Sequence, residues 1–237
     1  MTDIILALIA AVLAITLHEA AHGYAALALG DDTAKRLGRL SLNPLVHVDR
    51  VGTILLPGFL LIGQLLTIGR VAFMFGWAKP VPVAASRFAN PRLGMAWVAA
   101  AGPAMNFVLA WIGGLLLHLL PLVDRASGDL LSVFVSYFIM SNLVLGLFNL
   151  LPIPPLDGGR IAVGLLPLPL AMAYARMERA GIAVVLLVVF LLPQFLAHYD
   201  IAFDPVGNTL GRILPWAVRW ILYLSGHGPD LADSIDV

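Results

Sequence analysis

The chain of 237 residues is 60% hydrophobic and only 12% charged, with a formal net charge of zero and no cysteine. Soluble domains run nearer about 45–50% apolar and about 25% charged, so a membrane protein of several spans is expected, without room for a second large soluble domain. The charge balance offers nothing to nucleic acid, and the missing thiols exclude disulfides, thiolate nucleophiles and zinc–thiolate sites.

The start, Met1-Thr2-Asp3, lacks the basic residues and small-residue cleavage site of a signal peptide, so the first apolar run is expected to be mature structure. That run, residues 4–29, is the first expected span. At about 1.5 Å per residue it reaches about 39 Å, enough to cross a hydrocarbon core of about 30 Å with some tilt. A polar stretch, "DDTAKRLGRLSLNPLVHVDR" (31–50), follows. Residues 51–75 are apolar again but interrupted by Pro57, Gly58, Gly63, Gly69 and Arg70. "GWAKPVPVAASRFANPR" (76–92) is expected to be extended, because Pro80 and Pro82 exclude a regular helix.

Residues 94–120 and 130–150 are two further spans joined by the short polar "VDRASGD". "LLPIPPLDGGR" (150–160) then breaks what would otherwise be continuous helix, and an apolar segment at 180–197 follows. In "TLGRILPWAVRWILYLSG" (209–226), Arg212 and Arg219 share a helix face and Trp216 and Trp220 are amphipathic anchors. A helix lying in the interface is favoured there over a full span. The expected fold is an all-α polytopic membrane protein of about four to six transmembrane helices. A main unit covers residues 1–198, and residues 199–237 hold an interfacial or transmembrane helix and an acidic tail.

Three ionisable side chains stand inside the first apolar run, in "ITLHEAAHGYAALALG" (15–30). Polar groups at membrane depth are costly and are usually there for function. His18 and His22 are four apart and share one helix face, the spacing that lets two imidazoles grip one zinc, with Glu19 placed as general base for a water. A catalytic zinc needs a third protein ligand and an open position. The next glutamate after His22 is Glu178, too distant for a gluzincin pattern, and the metzincin third histidine falls on Ala28. Most aspartates sit in polar, loop-like contexts, whereas Asp157 follows an apolar span in "FNLLPIPPLDGGRI". Asp-Gly is also a common turn signal, but an orphaned histidine pair needing one carboxylate puts the ligand reading ahead.

HEAAH in the first span, "AAGPAMNF" (100–107) and "FNLLPIPPLDGGRI" (148–161) together resemble the site-2 protease type of intramembrane zinc metalloprotease. "GRLSLNPLVHVDRVGT" and "GWAKPVPV" resemble its small prokaryotic branch, and no insertion is large enough for a PDZ or CBS domain. The resemblance spans roughly residues 4–198. It implies His18, His22 and Asp157 as ligands of one Zn2+ per chain, and Glu19 as the base that activates water. It further implies that Asn149, Pro152 and Pro154, in the Asn-x-x-Pro-x-Pro run, help hold substrate, and that Asn106 matches the asparagine of Gly-Pro-x-x-Asn. Asn149 equally suits a cap on a broken helix; Asn106, grouped with the substrate-positioning residues, suits a donor to the oxyanion or a partner behind a metal ligand, and equally a plain interhelical hydrogen bond. His47 is expected to be a loop structural residue, and His118 and His198 to be interfacial.

The implied activity is endopeptidase cleavage within or near a transmembrane segment of a membrane-protein substrate, in the plasma membrane of a prokaryote, with the lipid bilayer as surroundings. A peptide bond in a helix is shielded, so substrate must be held extended, and broken backbone such as "NLLPIPP" is tolerated at depth only where it is buried in protein or lines a cavity. "GWAKPVPV" is expected to form a short strand whose Lys79, Val81 and Val83 donors face substrate. A metal-ion transporter would string ionisable residues along several spans, whereas here they cluster; a catalytically inactive relative would not need His18, Glu19, His22 and Asp157 together. A Gly-x-Ser-Gly serine protease motif is absent.

Topology follows from requiring one metal site. The basic residues after the first span place its second end in the cytoplasm. Asp157 then reaches the same depth only if residues 51–75 enter and leave from one side, as a re-entrant hairpin with Pro57, Gly58 and Gly63 near its tip.

Overall fold

A computed structural model describes residues 2–70 and 76–228; the acidic tail beyond them and part of the 51–75 stretch lie outside the described residues. Among the described residues, four helical runs are long and apolar enough to cross a membrane: Thr2–Ala28, Arg50–Thr67, Pro91–Leu122 and Arg125–Asn149. The chain is a multi-pass membrane protein built of helices, and no strand forms among the described residues.

Helix α1 (Thr2–Ala28) shows how the membrane selects its faces. Its buried positions include Ala10, Ala14, Ala20, Ala21, Gly23 and Ala26, while Ile4, Ile5 and Leu8 are exposed. Without a hydrophobic drive between helices in lipid, small residues let backbones approach and large ones face the acyl chains. After a short helix α2 (Thr33–Arg36) and a π-helical turn Arg50–Leu55 comes α3 (Leu56–Ile68).

Helix α4 (Pro91–Leu116) carries Gly94, Val98, Gly102, Asn106, Ala110 and Gly114 at every fourth position, all buried. This stripe packs against α1 and against α5 (Arg125–Asn149). Ala10 meets Leu109, and Ala26 meets Val98, so α1 and α4 run antiparallel. The second end of α1, the start of α4 and the end of α5 therefore lie together.

Beyond α5 the chain breaks, then forms α6 (Asp157–Leu165) against α4, and α7 (Leu168–Arg176). The apolar segment expected at 180–197 is assembled from α8 (Gly181–Val185), a π-helical turn Leu186–Leu191 and α9 (Leu192–Ala197). Its apolar helical part, Ala183–Ala197, is shorter than a straight crossing needs. Helix α10 (Pro205–Leu224) buries Ala217, Val218, Ile221 and Leu222 with Ala110 of α4 and Val135, Ile139 and Leu143 of α5, leaving Trp216 and Trp220 exposed.

Two expectations for the middle of the chain are corrected. Pro57, Gly58 and Gly63 do not mark a tip: all three lie in continuous helix α3, which ends at Gly69 with φ +70°. A π turn pairs each carbonyl with the N–H five residues on, and Pro57 has none, so the Gly52 carbonyl instead accepts from Trp77 N at 3.2 Å. Thr53 Oγ1 donates to Trp77 O at 2.9 Å and Lys79 N to His47 O at 2.8 Å, so the two ends of this excursion meet.

The expected strand is also absent. Two of the three expected donors of "GWAKPVPV" are consumed within the chain: Lys79 N by His47 O, and Val81 N by Glu19 Oε2 at 3.2 Å. Arg39 clamps the same stretch by donating to the Lys79 carbonyl at 2.9 Å. An edge whose donors are spent inward cannot form a ladder.

Asp31, fully buried just after α1, ties that helix to the same segment. It accepts from Thr33 N at 3.0 Å, from the Thr33 hydroxyl, and from Ala84 N at 2.6 Å. Burial pushes its carboxyl up, but these hydrogen bonds and nearby Arg87 outweigh that and hold it below the usual carboxylate range. A depressed folded value stabilises the protein above the unfolded pKa, and that contribution is lost as pH falls through the folded value. Asp31→Asn should destabilise by on the order of 1.5 kcal/mol near neutrality. Melting of both proteins across pH checks this: the gap should narrow below roughly pH 4.

Candidate metal centre

His18 and His22 stand one turn apart on α1, and the break after α5 returns Asp157 to them as the first residue of α6. His18 Nε2 lies 3.2 Å and His22 Nε2 3.4 Å from Asp157 Oδ2. The two Nε2 atoms are 3.1 Å apart. This is the one cluster of three such side chains among the described residues whose ligand atoms converge.

The hydrogen bonds behind the imidazoles fix what those nitrogens present. His22 Nδ1 donates to the Val98 carbonyl at 2.7 Å, and His18 Nδ1 to Asn106 Oδ1 at 2.7 Å. In neutral rings both Nε2 atoms are then bare lone pairs. They face each other and a buried carboxylate oxygen, Asp157 Oδ2, that has no hydrogen-bond partner. Three converging acceptors repel unless a cation lies between them. Zn–N bonds of about 2.0–2.1 Å in a tetrahedral site give ligand–ligand edges of about 3.3 Å, which the observed separations match. The residues fit zinc.

Two glycines make the approach possible. A Cβ on Gly102 of α4 would stand 2.5 Å from Cε1 of both His18 and His22. A Cβ on Gly158 would collide with the carbonyls of Leu150 and Leu151, so the turn delivering Asp157 closes only with glycine there.

Glu19 is half-buried on α1 beside the cluster, and Val81 N–H holds its Oε2 at 3.2 Å. One carboxylate oxygen is thereby anchored. Val81→Pro deletes that donor without touching a metal-facing atom. If the cleavage that the resemblance implies depends on Glu19, it should fall by roughly 10-fold or more with zinc content unchanged, as measured by activity and metal analysis on one preparation. Unchanged activity would count against a role for this contact.

The other sequence candidates divide. Asn106 is fully buried behind His18, with Nδ2 donating to Asn142 Oδ1 at 2.9 Å and to the Ala14 carbonyl at 3.4 Å, so its amide is spent on His18 and the neighbouring helices. Asn149 donates Nδ2 to Leu145 O at 3.0 Å, one turn back in its own helix. Pro152 is exposed and its carbonyl accepts from Tyr174 OH, while Pro154 is buried against Gly159. His47 bonds Ser41 O at 2.8 Å and His118 bonds Ser225 O at 2.7 Å, both away from the cluster. His198 is exposed beside Tyr199. The Val98 carbonyl, Gly102 and Asn142 were given no role by sequence, and the Val81 N–H, expected to face substrate, instead meets Glu19. Only Asn142, a lone amide in an apolar span, carried a readable signal.

Residues 124–192 match peptidase family M50. Over 186 residues the chain is 44% identical to "Putative zinc metalloprotease YwhC" of Bacillus subtilis (strain 168), covering 77% of this chain and 78% of that protein. The chain belongs to peptidase family M50. Membership in this site-2 protease family makes it a membrane zinc metalloprotease, and the M50 match includes Asn149, Pro152, Pro154 and Asp157. No solved structure matches the chain.

Proposed function

We propose that the protein is an intramembrane endopeptidase that hydrolyses a peptide bond within or near a transmembrane segment of a membrane-protein substrate, in the plasma membrane of a prokaryotic cell. The observation that carries this is the convergence of His18, His22 and Asp157 beside Glu19, within helices that otherwise face lipid. One zinc per chain fits the site, held by His18 Nε2, His22 Nε2 and Asp157, and when bound it supplies Lewis-acid polarisation of the scissile carbonyl and of water. Glu19 takes the proton of the attacking water and delivers it to the departing amine. The Val98 carbonyl and Asn106 hold the two imidazoles with Nε2 inward. The broken backbone of residues 150–156, with Asn149, Pro152 and Pro154, borders the site and is the natural place for an unwound substrate.

A transporter is the weaker reading, because the converging donors belong to one cluster instead of a path. Residues 1–198 form the catalytic unit, with α10 as an anchor that places Trp216 and Trp220 at the interface.

The meeting of Gly52 with Trp77 supports a re-entrant excursion, while the continuous helix α3 argues against a tip at Pro57. The chain is naturally free of cysteine, so single cysteines at Ser41 and Ser86 test it. Both should label from the cytoplasmic side; labelling from opposite sides would refute the excursion.

Function is tested by co-expressing wild type or Glu19→Gln with tagged single-span proteins. A fragment that appears only with wild type supports the proposal, and fragments identical for both contradict it.

A further inference from the structure

Asn142 of α5 touches neither the histidines nor any space open to substrate, yet it is fully buried in a bilayer-spanning helix where a bare amide is costly. Its hydrogen bonds form an ordered line. Asn142 Nδ2 donates to the Phe138 carbonyl at 2.8 Å. Asn142 Oδ1 accepts from Asn106 Nδ2 at 2.9 Å, and Asn106 Oδ1 lies 2.7 Å from His18 Nδ1.

The direction of this line is set by two backbone carbonyls, Phe138 at its far end and Ala14, which accepts from Asn106 Nδ2 at 3.4 Å and adds to the shorter bond that Asn142 Oδ1 makes. A backbone carbonyl only accepts, so Asn142 must turn its NH2 toward Phe138 and its oxygen toward Asn106. Asn106 must then present NH2 to Asn142 and oxygen to His18. His18 is left one option, an N–H at Nδ1 and a lone pair at Nε2. His22 needs no such relay, because the Val98 carbonyl meets it directly at 2.7 Å.

We infer that Asn142 is a positioning residue that, through Asn106, fixes the tautomer and ring orientation of His18 for metal binding. The inference rests on the zinc reading above and extends it to a third helix. Partners behind a ligand histidine typically change metal affinity by about 10–100-fold.

The test uses the full-length protein purified in detergent, with zinc affinity read by chelator competition and the visible bands of the Co2+-substituted form as a signature of ligand geometry. Asn142→Leu should weaken zinc binding by about tenfold and shift the Co2+ bands. Asn142→Ser, too short to span Phe138 and Asn106, should do the same and serves if the leucine variant does not fold. Asn142→Asp, in its protonated form, keeps an acceptor for Asn106 and a donor for Phe138, and should retain wild-type affinity. In an Asn106→Leu background the Asn142→Leu change should have no further effect, because the relay is already cut. A residue that merely packed would lower the melting temperature without moving the bands. Wild-type affinity in both Asn142→Leu and Asn142→Ser, or a full additional loss in the Asn106→Leu background, would overturn the inference while leaving the zinc site intact. A wild-type protein that binds neither Zn2+ nor Co2+ would instead overturn the zinc reading itself.

Discussion

Glu19→Gln keeps its zinc and its fold and loses cleavage. The amide has nearly the shape of the carboxylate, but it cannot take a proton from water, and a positioned general base contributes about 10²–10⁴-fold to such a step. The side chain is held from outside the metal cluster, by the Val81 N–H at 3.2 Å, so the substitution leaves all three converging donor atoms in place. Zinc content by metal analysis and cleavage of a co-expressed substrate, read on the same membranes, check the two halves of this expectation. Cleavage at the wild-type rate would remove Glu19 from the mechanism.

Asp157→Ala gives the opposite pattern. It deletes the one anionic donor and leaves two imidazole nitrogens 3.1 Å apart with no carboxylate to complete the site. Loss of a direct ligand should exceed the roughly 10–100-fold affinity loss that follows removal of an outer partner. The purified variant should therefore emerge with little zinc and no activity, and excess zinc should restore little of it. Full zinc occupancy in Asp157→Ala would take this residue out of the site. Together the two variants separate proton transfer from metal retention, two losses that a simple cleavage assay confuses.

Much of the site was legible because membrane depth makes polar residues conspicuous. His18, Glu19 and His22 stood out against an apolar run, and Asp157 was the aspartate that followed a span instead of a polar loop. The antiparallel packing that brings α6 back to α1 also followed from demanding a single metal site.

What escaped was carried by backbone atoms and by residues whose roles need three dimensions. The Val98 carbonyl has no side-chain signature at all, and for the Val81 N–H the sequence marked a free donor but not its partner, Glu19. Gly102 reads as one more small residue until a Cβ is placed against both imidazoles. Asn106 was left open between a role at the site and a plain interhelical hydrogen bond, and its burial and its bonds to His18 and to Asn142 on the neighbouring helix give it features of both. The expected strand at "GWAKPVPV" failed for a related reason. Proline spacing correctly excluded a helix, but it could not reveal that the Lys79 and Val81 donors were already taken by His47 and Glu19. The misplaced tip at Pro57 came from treating proline and glycine as breakers, when Pro57 sits in the first turn of α3 and the Trp77 N–H takes up the Gly52 carbonyl.

The most direct measurement is the terminus of the cleaved product. A panel protein cut by wild type and spared by Glu19→Gln should be isolated and its new terminus assigned by mass spectrometry. The account predicts a terminus inside the apolar segment of that protein or within a few residues of its end, with the fragment disappearing when zinc is chelated. A terminus deep in a soluble domain, or the same fragment released by the Glu19→Gln protein, would contradict it.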